Sequence, residues 1–117
     1  MPHFIIDCSQ SLLDQKSPSE VLEAVYQCAL YSDLFEKEGS GGIKVRINPY
    51  DHYLNAGKKE DFIHVFGHIM EGRSSEQKKS LSLSIVKRLN ELFPETTIIS
   101  MNVEEFKKES YGNKSMV

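Results

Sequence analysis

FIHVFGHIMEGRSSEQ, residues 62–77, passes from strand to turn to helix in one short stretch. Residues 62–70 read as a long strand. Gly72 and Arg73 form the turn. Ser74 caps the helix that follows, and Gln77 stands where it closes a capping box. Downstream, Leu81, Ile85, Leu89 and Leu92 fall on one helical face. Pro94 stops that helix, and residues 96–103 (TTIISMNV) form another strand. The stretch is therefore the first part of a β-α-β unit.

The upstream half has the same order. Residues 2–8 (PHFIIDC) read as a strand. Ser17 caps a helix, Pro18 suits its first turn, and Glu20 stands where it completes a capping box. Val21, Leu22, Val25, Cys28 and Ala29 recur at helical spacing. The helix is expected to end near Phe35, before the glycines at 39, 41 and 42. Residues 43–48 (IKVRIN) then alternate apolar and polar, as a strand with one buried face does. A polar loop over residues 49–61 joins the halves. The fold class is α/β, or α+β by some schemes. Right-handed crossovers make each half a parallel strand pair, with both helices on one face of a four-stranded sheet.

At 117 residues the chain is one domain, residues 1–117. Residues 104–117 are charged and polar. They read either as a frayed helical turn and tail or as an arm reaching a neighbouring subunit. Two helices cover one face of the sheet, and Phe, Ile, Val and Met on the strands are expected on the other. An exposed apolar face of that extent marks an interface, so a homo-oligomer is expected from burial alone. The alternative is a monomer with an amphipathic sheet.

The 17 acidic residues outnumber the 14 basic ones, for a net charge of −3. With no basic block and no RNA-binding signature, no nucleic-acid partner is expected. Cys8 and Cys28 do not make a disulfide framework and read as buried thiols in a reducing compartment. The N-terminus lacks a basic region and a long apolar core, so no signal peptide is expected. No apolar run approaches the ~20 residues that span a bilayer. These readings point to a cytoplasmic protein with no membrane partner.

Pro2 carries the chemistry. Met-aminopeptidases remove Met before small residues, and removal of Met1 leaves a secondary amine at the head of a strand. An α-amino group titrates at about 7.7–8.0. Burial and nearby cations lower that and leave the amine unprotonated, as a general base requires. Taken alone, Met-Pro favours the plainer reading, in which Pro2 blunts a strand end. Arg73 precedes a helix N-terminus, where free amides and the helix dipole attract anions; its plain reading is a solvated turn. Lys44 and Arg46 share one face of a strand while Ile43, Val45 and Ile47 share the other; a solvated face is the competing reading. His64 and His68 also share a face, but no third ligand is placed for a metal, and they read as structural. His3 sits beside Pro2. Tyr50, His52 and Tyr53 lie on the loop and suit either a pocket or an interface.

Together these residues resemble the 5-carboxymethyl-2-hydroxymuconate isomerase family of the tautomerase superfamily. The matching segments are Pro2-His3-Phe4-Ile5-Ile6-Asp7-Cys8-Ser9, Ile43-Lys44-Val45-Arg46, Asp61-Phe62-Ile63-His64-Val65 and Gly72-Arg73-Ser74, in the same order and spacing. The resemblance spans roughly residues 2–105. It implies a homotrimer with sheets around a central axis, no cofactor and no metal. It implies that Pro2 moves the proton, that Arg73 and Lys44 serve catalysis, and that Arg73, Lys44 and Arg46 bind a small carboxylate substrate. Lys44 departs from the family, where arginine is usual; lysine keeps the charge and loses the planar fork.

The implied activity is a cofactor-independent isomerisation from aromatic compound degradation. A proton moves in an unsaturated 2-hydroxy dicarboxylic or tricarboxylic acid, the double bond shifts and a ketone forms. Two other readings stand beside it. One is hydration or decarboxylation with the same Pro2 base. The other is a non-catalytic ligand-binding or interaction module on the same fold, for which Pro2 is dispensable.

Overall fold

In the computed structural model, residues 1–39 and 42–117 are described. Strand β1 (His3–Ser9) leads to a short helix α1 (Leu12–Gln15) and then to helix α2 (Pro18–Tyr31). Strands β2 (Lys44–Tyr50) and β3 (Phe62–Met70) follow, then helix α3 (Ser75–Leu92) and strand β4 (Ile98–Phe106). Two 3-10 turns, Lys108–Ser110 and Lys114–Met116, complete the chain. The sheet order is β2-β1-β3-β4. β1 pairs parallel with β2, β3 pairs parallel with β4, and β1 meets β3 antiparallel. The fold is thus two β-α-β halves joined through their first strands, with the four-stranded sheet and two main helices expected from the sequence.

Alternation along the strands sorts side chains between the two faces. Phe4, Ile6 and Cys8 of β1 and Ile63, Val65 and Ile69 of β3 are buried toward the helices. All but Ile69 pack with Val21, Ala24 and Val25 of α2 and with Leu81, Ile85 and Leu89 of α3. Both N-caps form at the serines that the sequence marks. The Ser17 side chain accepts from the Glu20 N–H at 3.2 Å. At α3 the capping box closes in both directions: Ser74 Oγ accepts from Gln77 N–H at 3.1 Å, and Gln77 Oε1 accepts from Ser74 N–H at 2.8 Å. An N-cap of this kind contributes about 1 kcal/mol.

Several boundaries differ from those expected from the sequence. Helix α2 ends at Tyr31, not near Phe35. Ser32 Oγ donates to the Ala29 carbonyl at 2.6 Å, and Asp33 turns to the left-handed region at φ 60°. That turn frees Leu34 and Phe35 to pack against the core. Gly41, one of the glycines expected to break the chain there, lies outside the described residues. β2 runs on through Pro49 to Tyr50, which proline tolerates because β2 is an edge strand. β4 is shifted toward the C-terminus and takes in Glu104–Phe106, residues whose charge suggests a tail. Helix α1 has no counterpart in the sequence reading; four residues are too few to show a period.

The face away from the helices carries Ile5, Phe62, Phe66, Met70, Ile98 and Phe106 among polar neighbours, as the strand registers show. Valine is not among them. Val45, Val65 and Val103 turn to the helix side and pack in or against the core. His64 on the open face is held at both ring nitrogens, by Ser100 Oγ at 2.7 Å and Asn102 Oδ1 at 2.6 Å. Among the described residues, no helix is long and apolar enough to cross a membrane.

Candidate active site

The turn after β3 starts the site. Gly72 adopts φ +119°, a conformation that disfavours any side chain. It lets the chain reverse between Glu71 and Arg73 before Ser74 caps α3. Arg73 is then fixed by two backbone carbonyls. Its Nη1 donates to Met70 O at 3.2 Å and its Nη2 to Leu34 O at 2.5 Å. The guanidinium also lies over the Phe35 ring, 5.2 Å from the centroid, a cation–π arrangement. The early end of α2 supplies both Leu34 and Phe35. These contacts fix the guanidinium without a carboxylate: among the described residues, Arg73 makes no salt bridge.

Pro2 is buried beside this turn. Its carbonyl accepts the Lys44 N–H at 3.0 Å, the first rung joining the N-terminus to β2. Lys44 Nζ donates to Gly42 O at 2.6 Å and Gly39 O at 3.3 Å, and stands 3.6 Å from Met1 Sδ. Met1, Pro2, Phe35, Arg73, Lys108 and Tyr111 line a cavity of about 520 Å³. Pro2 and Arg73 therefore share one hollow; Lys44 does not line it but reaches one of its lining residues, Met1.

The electrostatics there favour a neutral amine. The Met1 amino group lies below its ordinary value, chiefly through burial and then through Lys44. Glu36 opposes the shift and Arg73 adds to it. A chain without Met1 would carry its free amine on Pro2, which is buried where Met1 is half-buried. An unprotonated amine facing a fixed guanidinium can take a proton from a bound acid while the cation steadies the anion left behind.

Arg46 lies elsewhere. It is exposed on the open sheet face, where its Nη1 sits 3.0 Å from His3 Nδ1, and it does not line the cavity. His3 faces the same way, edge-on to Phe106 at 6.1 Å. Burial, then Arg46 and Lys44, lowers its pKa, which suits an unprotonated Nδ1 accepting from the guanidinium. Tyr50 and Tyr53 pack on Phe62 at the opposite end of β3 from the cavity. His64 is engaged by Ser100 and Asn102. His68 lies 6.1 Å from Phe106. Among the described residues, no group of three or more His, Cys, Asp or Glu is placed to hold a metal ion.

Phe35, Glu71, Lys108 and Tyr111 join the cavity wall without any motif to mark them in the sequence. An aromatic residue amid the polar stretch 107–115 is the one signal that points to Tyr111. Its hydroxyl is buried with no hydrogen-bond partner among the described residues, an arrangement that costs about 1–3 kcal/mol. A larger hollow of about 640 Å³ lies between α2 and α3, but it is lined by Cys28, Tyr31 and serines and carries no cation. Burial raises the Cys28 thiol pKa, so that hollow holds no ready nucleophile.

Comparison with known proteins bears on this arrangement. A sequence search of curated proteins finds no match. A 5-carboxymethyl-2-hydroxymuconate isomerase from Deinococcus radiodurans R1 superposes with a TM-score of 0.79 at 24% identity, covering 97% of this chain and 88% of that one. A 5-carboxymethyl-2-hydroxymuconate delta-isomerase superposes at 0.69 with 19% identity, covering 97% and 87%. A fused 4-OT, a wild-type symmetric trimer, also gives 0.69, at 13% identity and 97% and 94% coverage. At these identities the likeness is one of fold. The model of one family, described as 5-carboxymethyl-2-hydroxymuconate isomerase, matches residues 2–116. With nearly the whole chain matched, this protein belongs to the 5-carboxymethyl-2-hydroxymuconate isomerase family.

Proposed function

We propose that this isomerase-family chain ketonises an unsaturated 2-hydroxy dicarboxylic or tricarboxylic acid, with the Pro2 nitrogen as the base. The observation that carries the reading is the single cavity shared by Pro2 and Arg73. The Pro2 lone pair takes a proton from the bound acid and becomes a secondary ammonium. The dienolate left behind places its charge near Arg73, with Lys44 beside the N-terminus. The ammonium then returns the proton to a second carbon, the double bond shifts and a ketone forms. Atoms and electrons balance within substrate and amine, so the reaction needs no oxidant and no cofactor. The test follows ketonisation of a 2-hydroxymuconate-type acid in the ultraviolet, using the chain freed of Met1. No turnover of such acids by that chain removes the proposal and favours a binding module.

The pH dependence carries a distinct expectation. Activity needs the unprotonated amine, so it falls as pH drops through the amine pKa. The burial and cations that lower the Met1 amine are expected to act on Pro2 as well. The acidic limb of kcat/KM then lies below the ordinary α-amino range of about 7.7–8.0. Lys44→Met removes a cation that favours the neutral amine and is expected to move the limb to higher pH. A limb unmoved by that substitution means that Lys44 does not tune the base.

The assembly we propose is a homotrimer in the cytoplasm. The apolar residues on the open sheet face support it, as does the trimeric fused 4-OT of the same fold. The two free cysteines suit a reducing compartment; burial pushes the Cys8 thiol up to about 11. Sedimentation equilibrium is expected to give three times the chain mass. A monomer at micromolar concentration contradicts the trimer while leaving the chemistry of Pro2 open.

A further inference from the structure

We propose that Lys108 and Tyr111 form a second anion-binding end of the Pro2 cavity, so that its ligand is a dicarboxylate gripped by Arg73 at one end and by the C-terminal segment at the other. The inference rests on the reading of this cavity as the substrate site, and adds residues that neither the sequence motifs nor the Pro2 chemistry invoked.

The anchoring is local and specific. Glu71 N–H donates to Phe106 O at 3.0 Å, and Glu71 Oε2 accepts the Lys108 N–H at 2.7 Å. The turn that presents Arg73 therefore also ties down the start of the tail. From that tether the chain brings Lys108 and Tyr111 to the cavity wall. Tyr111 packs its ring on Phe106, 5.9 Å between centroids. The Lys108 ammonium makes no ion pair among the described residues. The Tyr111 hydroxyl is a donor with no acceptor among them. A carboxylate offers what both lack: a counter-charge for the ammonium and an acceptor for the hydroxyl.

Two carboxylates, Glu36 and Glu71, also line the cavity. Glu71 is engaged by the Lys108 backbone amide. Glu36 is exposed, so solvent and salt screen it. Arg73 is held by carbonyls rather than by an acid. The wall therefore offers two cations from different segments, Arg73 from the turn and Lys108 from the tail.

Two unreactive acids with the same conjugated six-carbon chain separate one anion site from two: trans,trans-muconate has a carboxylate at each end, and sorbate has one. Calorimetric titration of the Met1-free chain is expected to show muconate binding about tenfold tighter than sorbate. Lys108→Met is expected to remove most of that preference by weakening muconate alone, and Lys108→Arg to retain it. Tyr111→Phe is expected to weaken muconate several-fold with sorbate unchanged. A muconate preference that survives both Lys108→Met and Tyr111→Phe overturns the proposal, as does a native chain that binds the two acids equally or binds neither. Neither acid is turned over, so binding and ketonisation are read independently, and failure of the second anion site is distinguishable from failure of the Pro2 base.

Discussion

Acylating the Pro2 nitrogen is expected to lower kcat/KM for ketonisation by about 10²–10⁴-fold, the usual contribution of a positioned general base. An Ala inserted between Met1 and Pro2 achieves this whether Met1 stays or is trimmed, because Pro2 then sits in a tertiary amide whose nitrogen cannot take a proton. The rest of the site is little disturbed. The Pro2 carbonyl still accepts the Lys44 N–H, and the strand behind it is locked by Phe4 and Ile6 in the core. The melting temperature is therefore expected to change little while the rate collapses. Pro2→Ala makes the complementary change: it keeps a terminal amine but gives up the ring that fixes its direction, and is expected to fall between the two. If the acylated chain turns over as fast as the free one, the base is some other group and the proposed chemistry is wrong.

Arg73→Ala is expected to lower kcat by about 10²–10³-fold, the scale seen when one preorganised group that stabilises a developing oxyanion is removed. The expectation comes from how the guanidinium is held. Two carbonyls and an aromatic face fix it before any ligand arrives, so it needs little reorganisation as charge develops. Arg73→Lys is expected to recover only part of the loss. Lysine restores the charge, but a point charge on a flexible stem cannot span the Met70 and Leu34 carbonyls with one planar fork. A purely structural Arg73 predicts a different pattern: a lower melting temperature with kcat unchanged in the protein that remains folded. Equal kcat and KM in native chain and Arg73→Ala at a temperature where both are folded excludes a role in the chemistry.

Lys44 and Arg46 illustrate how far residue pattern reaches. Alternation puts both on one face of β2, and they are there. The pattern cannot tell them apart. Lys44 reaches back to the Gly42 and Gly39 carbonyls and the N-terminus, while Arg46 is captured by His3 across the β1–β2 ladder. Neither side chain lines the cavity, but Lys44 reaches one of its lining residues, Met1. The boundary of α2 is a similar case. Helical propensity alone carries it toward Phe35, yet Ser32 and Asp33 end it at Tyr31 and turn Phe35 under Arg73.

Local signals in the chain were enough for the strands, the two main helices, both N-caps and the Gly72-Arg73 turn. Each depends on residues within a few positions of one another, where spacing translates directly into geometry. The cavity is different in kind. It brings the N-terminus, the end of α2, the turn after β3 and the tail into one wall, and no local pattern records that meeting. Only the packing of the sheet and the return of the tail past Glu71 decided it, because contacts between distant residues follow from how whole elements stack rather than from any short run of sequence.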